Sequence, residues 1–220
     1  MLLKSYYLLI YNLLMFIGWL YFLINLNKNI FIYKNSIKDI YNNTFYLLKI
    51  VQYGMTLEIL HSIIKFVKSP ILTVCMQVLT RNLIVLILQF FPSSISFGYL
   101  LLSLAWSTIE IVRYPFYVFS ILKKDLNFKI EIPYFLIWCR YSFFIVLYPI
   151  GVSGEMITLL YSREDLDKYS NYFNQIKLSY IIYIFYLLYI PGLFVMYKYL
   201  LKQRKKVLGK INNKESLKKE

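Results

Sequence analysis

The stretch PYFLIWCRYSFFIVLYPIGVSGEMITLL, residues 133–160, decides the fold. Its 28 residues carry only two charged side chains, Arg140 and Glu155. As one straight helix it would be ~42 Å long, against a hydrocarbon core of ~30 Å. It is long and apolar enough to cross a bilayer, with length left over for a kink or an overhang. Five more apolar runs of spanning length follow the same pattern, at residues 6–26, 46–66, 71–91, 95–122 and 176–201. The fold class predicted is all-α: a polytopic membrane protein built as a bundle of six transmembrane helices. Residues 1–202 form the membrane domain, and residues 203–220 form a basic cytosolic tail. The first run is too long for a signal peptide and no small-residue cleavage site follows it, so it counts as a span. No internal repeat relates two halves, unlike many transporters.

Composition agrees. Hydrophobic residues make up 59% of the 220, aromatics 20% and charged residues 16%, where an ordinary soluble domain has ~45–50% apolar and ~25% charged. Disorder is excluded, and a soluble fold of this size could not hide so much apolar surface. The formal charge of +14 would fit a nucleic-acid partner, but many of the lysines lie in short loops and in the tail, where polytopic membrane proteins keep them. With both termini cytosolic, fifteen of the 25 Lys and Arg face the cytosol, six face the opposite side and four lie within spans. The first loop, with Lys28, Lys34 and Lys38, runs against this bias. The segment KQRKK near the end of the last span can rest on anionic lipid headgroups. Cys75 and Cys139 both sit in apolar runs and behave as small hydrophobes. The single histidine, His61, has no cluster of ligands around it, which argues against a metal site.

Six charged residues fall well inside the predicted spans: Glu58, Arg81, Glu110, Arg113, Arg140 and Glu155. Each unpaired charge at mid-bilayer costs ~2.5–3.5 kcal/mol. Six lone ones would cost ~15–20 kcal/mol, more than a typical domain's stability. They must pair or line a wet cavity. Glu58 and His61, and Glu110 and Arg113, are each three residues apart on one helix face. Arg113 and Arg140 lie in the cytosolic halves of their spans, where an anionic ligand entering from the cytosol meets them first. The planar guanidinium fork suits phosphate and carbonyl oxygens.

Within the opening stretch, Tyr148 and Glu155 are seven residues apart, about two helical turns, so both project from nearly one face. Pro149 removes a backbone donor between them, and Gly151 and Gly154 loosen the chain. The expectation is a helix broken at Pro149, opening a wet pocket with Glu155 near its lumenal end and Tyr148 deeper. One decoy is set aside: Cys75 to Arg81 has the Cys-x5-Arg spacing of a tyrosine-phosphatase loop, but CMQVLTR has no glycine to let backbone amides cradle phosphate.

Four segments, LEILHSIIKFVKSP, QVLTRN, AWSTIEIVRYPFY and RYSFFIVLYPIGVSGE, resemble in order those of the very-long-chain 3-hydroxyacyl-coenzyme A dehydratases, the protein-tyrosine-phosphatase-like A family. The likeness covers residues 7–202; loops 27–43 and 163–175 do not look family-like. The resemblance implies six spans in the endoplasmic reticulum membrane. It implies the third step of very-long-chain fatty-acid elongation, loss of water from 3-hydroxyacyl-CoA to give the trans-2-enoyl thioester. It implies a catalytic Tyr and Glu in Tyr-Pro-x-Gly-x-x-x-Glu, which fall on Tyr148 and Glu155. It gives supporting or substrate-binding roles to Arg81, Glu110, Arg113, Arg140, Tyr141 and Gly151, and fatty-acid elongase components as partners.

The chemistry asks for a base at C2 and an acid at the C3 hydroxyl. A carboxylate can accept near pH 7, and a phenol, with a reference pKa of ~10, donates. Glu155 as base and Tyr148 as acid is the simpler assignment; an arginine beside Tyr148 would permit the reverse. No metal or redox cofactor is expected, because the thioester activates C2. A small transporter, with the charges as its pathway, and an inactive scaffold of the elongase complex are the alternatives from other classes.

Overall fold

A computed structural model describes residues 2–169 and 180–216. The first residues of the sixth predicted span, 176–179, and the last four of the tail lie outside the described residues. Every regular element among the described residues is helical. Helix α1 (Leu2–Asn27) runs into a π-helical turn (Lys28–Ile32); α2 (Ile37–Gly54) is followed almost directly by α3 (Thr56–Ile63). Then come α4 (Ile71–Phe90), α5 (Phe97–Lys124), α6 (Tyr134–Ser142), α7 (Phe144–Tyr161), α8 (Arg163–Tyr169) and α9 (Tyr180–Ser216). The boundary placed at residue 202 thus falls inside an unbroken helix.

Local chemistry sets the starts. Ser36 caps α2 by accepting the Asp39 amide at 3.3 Å, and Ser96 caps α5 through the Gly98 amide at 3.3 Å. The loop between α1 and α2 closes on Asn29, which is 2% exposed. Its side-chain oxygen accepts the amides of Asn35 and Asn43, each at 2.8 Å. Asn35 is half-buried and Asn43 exposed, and together they satisfy the side-chain oxygen of the buried Asn29.

Helix α5 is the hub and packs against α1, α2, α6 and α7. Trp19, Phe22, Tyr99, Leu102, Trp106 and Tyr114 fill the centre. The outer surface carries Leu3, Ile10, Leu72, Met76, Phe135 and Leu187, all exposed. An apolar exterior of this kind fits lipid tails. Among the described residues, four helical stretches are long and apolar enough to cross a membrane: Leu2–Ile32, Ile71–Phe90, Phe144–Lys168 and Ile182–Gly209. The predicted six also counts α5 and the α2–α3 pair. Helix α5 has the length, 28 residues, but Glu110, Arg113, Lys123 and Lys124 lower its hydropathy. The first two of these charges face inward.

The expected break at Pro149 is corrected. Helix α7 is continuous from Phe144 to Tyr161 with Pro149 inside it, and the interruption lies at Phe143, between α6 and α7. Proline denies an N–H to the carbonyl four residues back, which is Ile145. The Tyr197 hydroxyl of α9 donates to that carbonyl at 3.2 Å, so the orphaned acceptor is satisfied without a break. Along the same antiparallel seam, the Tyr186 hydroxyl donates to the Met156 carbonyl at 2.5 Å and Arg204 Nε donates to Ser142 Oγ at 3.1 Å.

The glycines also do something other than loosen the chain. A Cβ on Gly154 would stand 2.5 Å from the Leu102 amide nitrogen and 2.8 Å from the Gly98 carbonyl oxygen. A Cβ on Gly98 would stand 2.6 Å from the Gly154 carbonyl oxygen. The two glycines let the backbones of α5 and α7 touch, the small-residue packing by which membrane helices associate. Gly151 faces Ala105 and Trp106, with 3.3 Å from its notional Cβ to that of Ala105.

Candidate active site

Four of the six intramembrane charges join in one buried group. Arg81 Nη1 on α4 bonds Glu110 Oε1 at 2.6 Å. Arg113 reaches the other oxygen of Glu110 with Nε at 2.5 Å, and Glu58 on α3 with Nη2 at 2.6 Å. Glu110 is fully buried and the other three are only 12–15% exposed at the side chain. Two acids and two arginines cancel, which is how charges survive at this depth. The Tyr114 hydroxyl adds a bond to Glu58 at 2.6 Å. The expected i,i+3 pair Glu110–Arg113 is present. Glu58 and His61 do not pair: His61 sits against the Tyr7 hydroxyl at 2.9 Å and edge-on to Tyr11.

Arg81 connects this group to Glu155. Its guanidinium lies over the Trp106 ring, 5.0 Å from the centroid, and Trp106 Nε1 donates to Glu155 Oε1 at 2.9 Å. The second oxygen of Glu155 accepts the Tyr189 hydroxyl of α9. Glu155 is 6% exposed. Because α7 is unbroken, Tyr148 stands two turns away on nearly the same face. Its side chain is half-buried. Glu155 is therefore packed between side chains of α5 and α9. A cleft of 630 Å³ lies at the end of α7, lined by Ser93, Leu160, Tyr161, Arg163, Glu164 and Asp167.

Arg140 is placed apart from these groups. It has no carboxylate partner among the described residues. Its guanidinium lies against Phe116 at 4.4 Å, Tyr117 at 4.7 Å and Tyr141 at 5.9 Å, and it donates to the Tyr117 hydroxyl at 3.3 Å. Aromatic faces hold the cation by its flat sides and leave its N–H edge for an acceptor. Tyr141 serves as one wall of this surround. Arg113, by contrast, is occupied by two carboxylates.

Trp106 and Tyr189, which bond Glu155, and Tyr114, which bonds Glu58, are contacts of the candidate site that sequence reasoning missed. For Trp106 a signal existed: an indole N–H buried in a span needs an acceptor, and Glu155 is one of few. Tyr189 had none, as one tyrosine among 23. The Cys75–Arg81 segment is plain helix within α4, so no phosphate-cradling loop exists there.

Comparison with known proteins places this geometry in context. Residues 52–210 match the family model described as protein tyrosine phosphatase-like protein, PTPLA. Among curated relatives, very-long-chain (3R)-3-hydroxyacyl-CoA dehydratase hpo-8 of Caenorhabditis elegans is 38% identical over 215 residues, covering 92% of this chain and 94% of the relative. Very-long-chain (3R)-3-hydroxyacyl-CoA dehydratase 2 of Homo sapiens is 34% identical over 220 residues, covering 94% and 82%. Dehydratase 1 of Ovis aries, of the same description, is 34% identical over 218 residues, covering 94% and 73%. No solved structure matches.

Proposed function

The chain belongs to the PTPLA family of protein-tyrosine-phosphatase-like proteins, and from that membership we propose that it is a very-long-chain 3-hydroxyacyl-CoA dehydratase. It is a hydro-lyase of fatty-acid elongation that converts 3-hydroxyacyl-CoA to trans-2-enoyl-CoA. Glu155 takes the proton from C2; the C2–H electron pair becomes the C2=C3 bond; the C3–O bond breaks. Tyr148 gives its proton to the departing hydroxyl, which leaves as water. The tyrosinate is then reprotonated from Glu155, and the site returns to its starting state. The thioester carbonyl supplies the acidity at C2, so the reaction asks for no metal or redox cofactor.

The observation that supports this reading is the pairing of Tyr148 and Glu155 on nearly one face of an unbroken helix, with the Glu155 carboxylate held between Trp106 and Tyr189. The acyl chain would lie among the helices and the coenzyme A phosphates at the cytosolic face. Arg140, held by aromatic rings and without an acid partner among the described residues, fits the anchoring of those phosphates better than Arg113 does. The membrane is that of the endoplasmic reticulum, with both termini cytosolic, and elongase components are the partners. The buried arginines and acids of the tetrad neutralise one another, which speaks against a transport pathway through them.

The test is incubation of purified protein with 3-hydroxyacyl thioesters of several lengths, read by the conjugated enoyl product. Tyr148→Phe and Glu155→Gln, at normal expression, are expected to lose about 10²–10⁴-fold in kcat. Turnover at the wild-type rate in either variant rules the assignment out, and a folded wild type with no turnover leaves the scaffold reading.

A further inference from the structure

We propose that Tyr189 and Trp106 are positioning residues that hold the Glu155 carboxylate for removal of the C2 proton, so that α9 supplies one wall of the reaction site. The inference rests on the dehydratase reading above. It starts from the geometry: each oxygen of Glu155 is bound by a different donor from a different helix. Trp106 Nε1 on α5 takes Oε1 at 2.9 Å, and the Tyr189 hydroxyl on α9 takes Oε2. An ionised carboxylate has about four lone-pair sites on its two oxygens. Two are used by these donors, and the rest remain to meet a C–H bond.

The two donors are not equivalent. An indole N–H only donates, so Trp106 can orient Glu155 but cannot carry its proton away. Trp106 lies under the Arg81 guanidinium, 5.0 Å from the ring centroid, and beside Gly151, whose notional Cβ would stand 3.9 Å from the indole. Tyr189 arrives from a helix that is already seated. Tyr186, Tyr197 and Arg204 make three other bonds along the seam between α9 and the α6–α7 pair. Helix α9 does not need the Tyr189 hydroxyl in order to dock. What that hydroxyl determines is the rotation of the carboxylate beside it.

Tyr189→Phe tests this, because it keeps the ring and removes one oxygen. Steady-state turnover of a 3-hydroxyacyl-CoA by detergent-purified full chain is compared with that of wild type and of Tyr186→Phe, which loses an α9–α7 bond that does not involve Glu155. For Tyr189→Phe, kcat is expected to fall about tenfold to a hundredfold, the value of one hydrogen bond to a charged group, with KM within about twofold of wild type. The kinetic isotope effect with substrate deuterated at C2 should rise, because a misaligned base makes C–H cleavage more limiting. Tyr186→Phe should leave both quantities unchanged. Unchanged kcat in Tyr189→Phe overturns the proposal. So does an equal loss in Tyr186→Phe with no change in isotope effect, which marks the bond as helix docking alone. If Tyr189→Phe does not survive purification, Trp106→Phe makes the same test at the other oxygen, with the same outcomes. A folded wild type that turns nothing over removes the dehydratase reading and this inference together, whereas active wild type with an indifferent Tyr189→Phe removes this inference alone.

Discussion

Gly154→Ala is the sharpest probe of the crossing that holds the site. The added methyl would lie 2.5 Å from the Leu102 amide nitrogen, 2.8 Å from the Gly98 carbonyl oxygen and 2.9 Å from Leu101 Cβ. Two of these are backbone atoms in the first two turns of α5 and cannot swing aside. Ordinary contact distance is about 3.5 Å, so α5 and α7 must part locally by about 1 Å. Overpacking of this kind costs about 1–3 kcal/mol, offset in part by the gain of up to ~1 kcal/mol from replacing glycine in a helix. Glu155 is the next residue, and its 2.9 Å bond to Trp106 crosses that interface. Moving α7 by about 1 Å stretches it past a sound hydrogen bond, and misplacement on this scale can cost about 10²-fold in rate. The assay pairs the thermal inactivation midpoint in detergent with kcat for dehydration. Gly192→Ala is the control, since a Cβ there meets nothing within 4 Å; its midpoint should hold or rise. If Gly154→Ala matches Gly192→Ala in both measurements, the backbone contact between α5 and α7 is not what holds Glu155 in place.

Two further outcomes follow from the same contacts. In the buried tetrad, Glu110→Gln removes the negative charge shared by Arg81 and Arg113, whereas Glu58→Gln leaves Arg113 bonded to Glu110; breaking a buried pair costs about 3–5 kcal/mol, so Glu110→Gln should lose more folded protein on heating than Glu58→Gln, and the opposite order contradicts the shared-acid geometry. At the seam, Tyr197→Phe strands the Ile145 carbonyl, for a loss of about 1–3 kcal/mol. In a Pro149→Ala background the helix supplies its own N–H to that carbonyl and the loss should largely vanish; a double-mutant cycle with no coupling disproves the compensation.

Much of this architecture was legible in the residues. Insertion cost alone required the six intramembrane charges to pair or to line a wet cavity, and four of them, Glu58, Arg81, Glu110 and Arg113, do pair. The spacing of Tyr148 and Glu155 placed them on one face, and that holds because the helix is unbroken. Pro149 misled for a reason that local sequence cannot carry. A proline breaks a helix only if the freed carbonyl goes without a donor, and the donor comes from Tyr197, 52 residues from Ile145. Gly151 and Gly154 read as loosening elements because a glycine looks the same whether it frees its own chain or admits a neighbour's. Only the partner glycine, Gly98, separates the two readings, and nothing marks Gly98 and Gly154 as a pair along the chain.

The side chains around Glu155 explain why the site depends on the closed bundle. Tyr148 and Glu155 come from α7, Trp106 from α5, Arg81 from α4 and Tyr189 from α9. No single helix, and no adjacent pair in sequence, contains the whole arrangement. Arg81 sits at the junction: one edge is fixed by Glu110, which also holds Arg113, and its face steadies the indole bonded to Glu155. The tetrad therefore does more than neutralise charge in lipid. It sets the height and angle of Arg81, and through Trp106 the orientation of the carboxylate. A change at Glu110 should then reach the chemistry as well as the stability, even though Glu110 does not touch Glu155.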